Sequence, residues 1–385
     1  MARMDGNWSL TVVGVLFLAL QPQACRDDVA SHRLNDSTAV KLFLTDFAVN
    51  VVSDRLTLMS EQNASLVSAL EAASADASST EMLLEAQQKW FDTMIQWQEL
   101  EVMQVASLGS SLTAVGGQDV RDNIYSWPLS NPCRIDQVTA TQDYLSDDFI
   151  DTALVSMRGL DAVEYLLFAP LETECPSQVP PLSDGSWQAL SDVDIQGRRL
   201  EYALVLAQTV QNDLEEAQLL WSKDFPFDLY ESDVKALNAV FNGMLYAEEM
   251  IKERKLHHPL GLKDECSVDC HLEVEGLYAN ISTEFLVANL KGLSAIIDGT
   301  DSGGFRQVLL GVDEEGIADE FERTIDVLIN QLEEIEEPLV DLIATNPEKL
   351  DDLQEDLSDL TSLLKWDIAT VLEMEIPQTS AGDND

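Results

Sequence analysis

Apolar residues along this chain recur at spacings of three and four, and that period constrains the fold more than any other feature. Leu42, Phe43, Phe47 and Val51 form one such run, and Leu83, Trp90, Met94, Trp97 and Leu100 form another. This is the period of an amphipathic helix, not the alternation of a half-buried strand. The pattern predicts further helices near 144–168, 194–221, 232–255, 273–298, 313–344 and 348–373, with Ser232 as an N-cap. Pro-rich or Gly-rich stretches punctuate it, above all "APLETECPSQVPPLSDGS" after Phe168. Few segments combine β-branched residues with alternation, so the expected class is all-α, built as two helical-bundle lobes. The expected organisation is a signal peptide over 1–25, a tether over 26–38, an N-terminal lobe over 39–180, a C-terminal lobe over 181–376 and an acidic tail over 377–385.

Charge narrows the function. Twenty-two Lys and Arg face seventy Asp and Glu, a net charge of -48. Nucleic acid binding needs clustered cations on phosphates, so a nucleic-acid partner is excluded. Solvation of the folded surface in a salty medium accounts for most of the acid. At the N-terminus Arg3 precedes the apolar run "LTVVGVLFLAL", which is short for a membrane span and has the form of a signal-peptide core. Cys25 directly follows Ala24, as in a bacterial lipobox, so Cys25 is the expected lipidation site and the chain is expected to be exported. Arg26 behind it lacks the aspartate that retains lipoproteins at the inner membrane, which favours the outer membrane. Four cysteines remain, Cys133, Cys175, Cys266 and Cys270. In an oxidising compartment they allow three pairings, and Cys133–Cys175 with Cys266–Cys270 is the one expected.

Most catalytic signatures are absent: there is no H-E-x-x-H, no G-x-S-x-G, no Walker loop and no dinucleotide fingerprint. "DVDIQGRRLEYA" starts like a calcium loop, but Ala203 stands where the bidentate glutamate is needed. "CSVDCH" has three residues between its cysteines where covalent haem attachment uses two, so a loop-clamping disulfide is the better reading. Histidine is scarce, with only His32, His257, His258 and His271, and His32 lies in the tether. A metal site in the first lobe must therefore be built from oxygens, which suits hard cations over zinc. The stretch "RGLDAVEYLLF" carries two acids, Asp161 and Glu164, on one face of an otherwise apolar helix. Arg158, Asp161 and Tyr165 share a stripe there, which allows an Arg158–Asp161 ion pair.

The same stretch resembles the hallmark of the imelysin family, G-x-H-x-x-E followed by an apolar and aromatic run. Gly159, Asp161 and Glu164 fall on its three positions, with Asp161 in place of the histidine. "NIYSWPLSNPCRIDQ", "KLHHPLG" followed by the cysteine pair, the "NLKGL" helix and the closing "IPQTSAGDND" resemble the lipoprotein members of that family, and the similarity spans roughly residues 40–385. The resemblance implies two four-helix-bundle-like lobes packed around a central cleft, export to the periplasm or cell surface, and an association with iron acquisition. It implies Asp161, Glu164 and Glu101 as candidate metal ligands, iron as the cofactor, and Trp127, Arg134, Arg158, Gly159 and Tyr165 as residues around the cleft. It also implies iron-uptake components as partners. The loss of the histidine removes a nitrogen donor and adds a charge, so no zinc peptidase centre is expected, and the reading leans to a binding protein and not an enzyme. The alternatives are a metallopeptidase of the same fold and an interaction protein without a metal.

Overall fold

The structure, a computed structural model, describes Leu34 and residues 37–223, 225–263, 266–300 and 303–376. The expected signal peptide with Cys25, most of the tether with His32, and the acidic tail lie outside the described residues. Among the described residues there are helices and turns and no strand. The principal helices are α1 (Thr38–Asp46), α2 (Ser53–Ala75), α3 (Thr80–Glu101), α4 (Val120–Ile124), α5 (Pro132–Thr141), α6 (Leu160–Phe168) and α7 (Asp192–Lys223). They continue with α8 (Asp233–Ala247), α9 (Ser282–Asp298), α10 (Phe305–Leu310), α11 (Glu315–Glu333), α12 (Leu339–Thr345) and α13 (Asp351–Ser362). Wide π-helical turns extend α1 over Phe47–Val52, α8 over Glu248–His257 and α13 over Leu363–Ile368.

Local chemistry sets several boundaries. Ser79, Asn131 and Ser232 each accept a backbone N–H with the side chain at the start of α3, α5 and α8, which satisfies a donor the helix leaves open. Two expected helices are broken. The 313–344 segment divides into α11 and α12 at Pro338, whose ring cannot continue a helix. The 144–168 segment is a helix only from Leu160, preceded by single turns at Asp143–Leu145, Phe149–Thr152 and Val155–Met157. Gly159 forces that break with φ 88° and ψ -178°, a conformation open to glycine alone. The predicted 273–298 helix begins at Ser282, after the positive-φ residues Gly276 and Asn280.

Helices α2, α3, α6 and α7 pack around one another, α2 against α3 and α7, and α6 against α3 and α7. A second group joins α9 to α11, α11 to α13, and α8 and α10 to α1. Helix α3 belongs to both groups, because α9 packs along it. The packing of α7 onto α2, and of α1 onto α8 and α10, runs across the 180/181 division expected from sequence. Most of the buried apolar side chains form one cluster from Leu34 to Met374, which includes the fully buried Trp90 and Trp97 of α3. Both disulfides are present as expected: Cys133–Cys175 ties the start of α5 to the segment after α6, and Cys266–Cys270 closes the loop before α9.

Candidate functional site

The two acids of α6 are buried, Asp161 4 % and Glu164 5 % exposed. Gly159 places them. A Cβ at that position would lie 2.8 Å from the Ile124 carbonyl oxygen, so only glycine lets the start of α6 sit against the end of α4. Asp161 then receives the residues that follow α4: Oδ1 accepts from the Ser126 N–H at 3.2 Å and Oδ2 from the Ser126 hydroxyl at 2.8 Å. Glu164 reaches the other way. Its Oε1 accepts from the backbone N–H groups of Tyr278 (2.9 Å) and Ala279 (3.1 Å), in the turn that leads into α9. The pair therefore pins two loops to one helix.

Burial pushes Asp161 up to about 6, against the opposing pull of the Ser126 hydrogen bonds. It pushes Glu164 up to about 8, where the two backbone donors lower it only in part and Glu275 and Asp161 add to the rise. Burial penalises the charged form, and one or two neutral donors do not offset it.

Glu101 closes α3 beside this pair and lies at the centre of a denser network. Arg121 on α4 meets Oε1 at 3.2 Å, and the Lys255 ammonium meets Oε2 at 2.7 Å. Lys255 is 2 % exposed and also lies 3.0 Å from Glu275, 2.6 Å from the Gln98 amide oxygen and 2.7 Å from that of Asn289. Burial would raise Glu101, but Lys255 and then Arg121 outweigh it and hold the carboxyl below its usual range. For Glu275 burial prevails, only partly offset by Lys255, and its carboxyl is raised. Tyr125 stands among these acids, fully buried, with no hydrogen-bond partner on its hydroxyl among the described residues. Burial, then Glu275, Glu164, Asp161 and Glu101, raise its phenol well above the ordinary value.

The three candidate ligands do not fit one metal ion in this arrangement. Asp161 has each oxygen on Ser126, Glu101 has one oxygen on each of two cations, and Glu164 is held by backbone amides. Among the described residues, the group of three His, Cys, Asp or Glu side chains whose ligand atoms lie within 4.8 Å of one another is His258, Cys266 and Glu273, elsewhere in the molecule.

A cavity of about 1260 Å³ opens on the far side of Arg121. Its walls come from the 104–129 segment, α8 and its π extension, and Glu375 and Ile376. Leu112, Val115, Leu129 and Leu229 are exposed at its apolar wall, Arg121, Lys235 and Arg254 bring cations to it, and Asp119, Asp122, Glu231, Glu249 and Glu375 bring carboxylates, with Arg121 paired to Asp122 and Lys235 to Glu375. None of the five expected cleft residues lines this cavity. The Trp127 carbonyl accepts from Arg121 at 2.7 Å, while Pro128 and Leu129 after it form the wall. Arg134 is exposed and bonds Gln137 at 2.6 Å. Arg158 donates to Asn123 Oδ1 at 2.9 Å, so the expected Arg158–Asp161 pair is replaced by the Ser126 bonds. Tyr165 is buried and donates to Asp136 Oδ2 at 2.8 Å, with the Arg199 guanidinium 5.1 Å from its ring centre.

The residues sequence reasoning missed are Arg121, Lys255, Gln98, Asn289, Ser126 and Tyr125, while Glu275, which the sequence offers only as an i, i+4 partner of His271, pairs with Lys255 instead. A signal existed for some: Lys255 opens "KLHHPLG", Asn289 opens "NLKGL", and Tyr125 and Ser126 lie inside "NIYSWPLSNPCRIDQ".

The sequence profile described as imelysin matches residues 53–365. No curated protein matches the chain. Solved structures share the fold, two of them imelysin-like or iron-regulated by name. An imelysin-like protein from Psychrobacter arcticum 273-4 superposes with a TM-score of 0.70 at 16% identity, covering 88% of this chain and 97% of the other. A chain assigned as an iron-regulated protein A precursor, from Parabacteroides distasonis ATCC 8503, gives a TM-score of 0.65 at 15% identity, covering 87% of this chain and 94% of the other.

Proposed function

Since the chain belongs to the imelysin family, we propose that it is an exported binding component of iron acquisition, carried on a lipid at Cys25, that takes an iron-bearing complex and not a bare ion. The observation that carries this reading is the commitment of the acids: Asp161, Glu164 and Glu101 are each held by protein donors, while Arg121 links Glu101 to the wall of the large cavity. A chelated ferric ion presents carboxylate, hydroxamate or catecholate oxygens and an organic frame. Arg121, Lys235 and Arg254 offer cations to such a ligand beside exposed leucines and the Tyr230 and Tyr246 rings, while Asp119, Asp122, Glu231, Glu249 and Glu375 in the same lining favour a complex whose charge the ferric ion offsets over a free polyanion. The name of the Parabacteroides relative supports the association with iron. The buried pair Asp161 and Glu164 supplies rigidity behind the cavity, and no proteolytic step is assigned to it.

Titration of the mature protein with ferric citrate, free citrate and ferrous ion, followed by calorimetry, tests this. Ferric citrate should bind, and Arg121→Gln should weaken it by about tenfold or more, as expected for loss of a charge-assisted bond. Tight binding of the bare ion that vanishes in Asp161→Asn/Glu164→Gln would return the ligand role to the hallmark acids. Metal-dependent cleavage of a protein substrate, lost in the same variant, would restore the peptidase reading.

A further inference from the structure

The loop between α8 and α9 brings together residues that neither the cavity nor the hallmark acids use. His258 Nε2 lies 2.5 Å from Glu273 Oε2. The Cys266 sulfur completes a set in which all three ligand atoms lie within 4.8 Å of one another. Cys270, bonded to Cys266, is one S–S bond length further. His258 is nearly buried at 9 % exposed, whereas residues 267–269 between the cysteines are exposed. The disulfide is half-buried beside these exposed residues, so a reagent can approach it from solvent, and the histidine is more buried than either cysteine.

We propose that this loop is a redox-gated soft-metal site, in which reduction of Cys266–Cys270 exposes a set of two thiols, one imidazole and one carboxylate for a zinc ion. With the disulfide intact both sulfurs are spent on each other, and only His258 and Glu273 remain as donors. An external dithiol breaks the S–S bond by exchange: it is oxidised to its own disulfide, and the two cysteine sulfurs take up two electrons and two protons. Binding of Zn(II) then releases those two protons to solvent as the sulfurs coordinate as thiolates. Zinc bonds of about 2.3 Å to sulfur and 2.0–2.2 Å to nitrogen or oxygen put the ligand atoms of a tetrahedral ion about 3.3–3.8 Å apart. To reach that spacing His258 and Glu273 would open from 2.5 Å by about 0.8 Å, and the Cys266 sulfur, within 4.8 Å of both, would close by no more than about 1.5 Å, movements within reach of side-chain rotation in a loop, which must also bring in the Cys270 sulfur. Two thiolates and an imidazole select zinc or copper(I) over iron, so this site is chemically distinct from any ferric ligand in the cavity. The disulfide and the metal are mutually exclusive states of one loop.

The test uses the intact protein with Co(II) as the spectroscopic stand-in for Zn(II). Oxidised protein should show no thiolate-to-cobalt absorption. Protein reduced with a phosphine and freed of metal should take up one equivalent with such a band, displaced by Zn(II). The other disulfide is reduced as well, so the ion is located by alkylation and peptide mapping of the unmutated protein. Zn(II) should protect Cys266 and Cys270 from alkylation and leave Cys133 and Cys175 reactive. His258→Ala should weaken Co(II) binding by at least about tenfold. The proposal is overturned if reduction creates no cobalt–thiolate band, if protection falls on Cys133 and Cys175, or if His258→Ala binds as tightly as the parent.

Discussion

Burial lifts the Glu164 carboxyl to about 8 and that of Asp161 to about 6, so near pH 7 the hallmark helix carries one neutral acid and one mostly ionised acid. In the unfolded chain both titrate near 4. An acid with a raised folded pKa binds more protons folded than unfolded, so its share of stability is fully present below about pH 4 and is lost as pH rises through the folded value. For Asp161 the loss runs to about pH 6, and for Glu164 to about pH 8. Glu164→Gln keeps an oxygen to accept from Tyr278 and Ala279 and cannot ionise. It should be more stable than the parent at pH 8.5 by on the order of a few kcal/mol, with the advantage vanishing near pH 4. Urea unfolding at several pH values checks this, and two parallel profiles would refute it. The position of these acids on one helical face was legible from their spacing of three. Their burial was not, because it depends on Ser126 and on the 278–279 turn, which meet α6 only through tertiary packing. Lys255 was harder still: "EEMIKERKLHH" reads as a solvated face, yet the π turn of Glu248–His257 rotates Lys252 and Lys255 into the core.

At the scale of elements, the crossing of α3 and α9 carries the site, since Gln98 and Glu101 come from one helix and Asn289 from the other. Gly292 sits at that crossing. A Cβ there would lie 2.3 Å from the Glu99 carbonyl oxygen and 2.8 Å from Val102 Cγ2. Helix propensity alone favours Gly292→Ala by about 1 kcal/mol. Overpacking opposes it, because the contact is to backbone that cannot move without separating the helices, and such strain costs about 1–3 kcal/mol. The crossing should win, so Gly292→Ala should lower the urea midpoint, and Gly292→Val should lower it further. A midpoint that rises in Gly292→Ala would show that the helices separate easily. The existence and type of the long helices were legible from period three and four, as α7 at Asp192–Lys223 shows against an expected 194–221. What failed was continuity. Pro338 could have been read as a break, whereas the short turns before Leu160 depend on a glycine conformation that apolar spacing does not encode.

Over the whole molecule the net charge of -48 acts against a single continuous core. Exposed pairs such as Lys235–Glu375 and Arg323–Glu320 engage only a few of the acids, and surface pairs contribute little each. The remaining surface acids repel one another, and that repulsion is long-ranged at low ionic strength, with a Debye length of about 30 Å at 0.01 M salt and about 8 Å at 0.15 M. Raising NaCl from 0.01 M to 0.5 M should therefore raise the melting temperature at pH 8 by several degrees, because compaction no longer forces like charges together. Lowering the pH at low salt acts in the same direction by neutralising surface carboxylates, so surface repulsion and the buried Glu164 both make the parent more stable in mild acid. Salt separates them. Screening removes the surface contribution and leaves the buried one, which lies inside low-dielectric protein. In 0.5 M NaCl the pH dependence that survives above about pH 6, where the loss at Asp161 is complete, should be the part absent from Glu164→Gln. If high salt abolishes the pH dependence above about pH 6 in the parent as well, Glu164 is ionised or solvated in the folded protein, and the closed arrangement around it is wrong. If that dependence survives in the parent and vanishes in the variant, Glu164 is the main buried acid that titrates above about pH 6 within the fold.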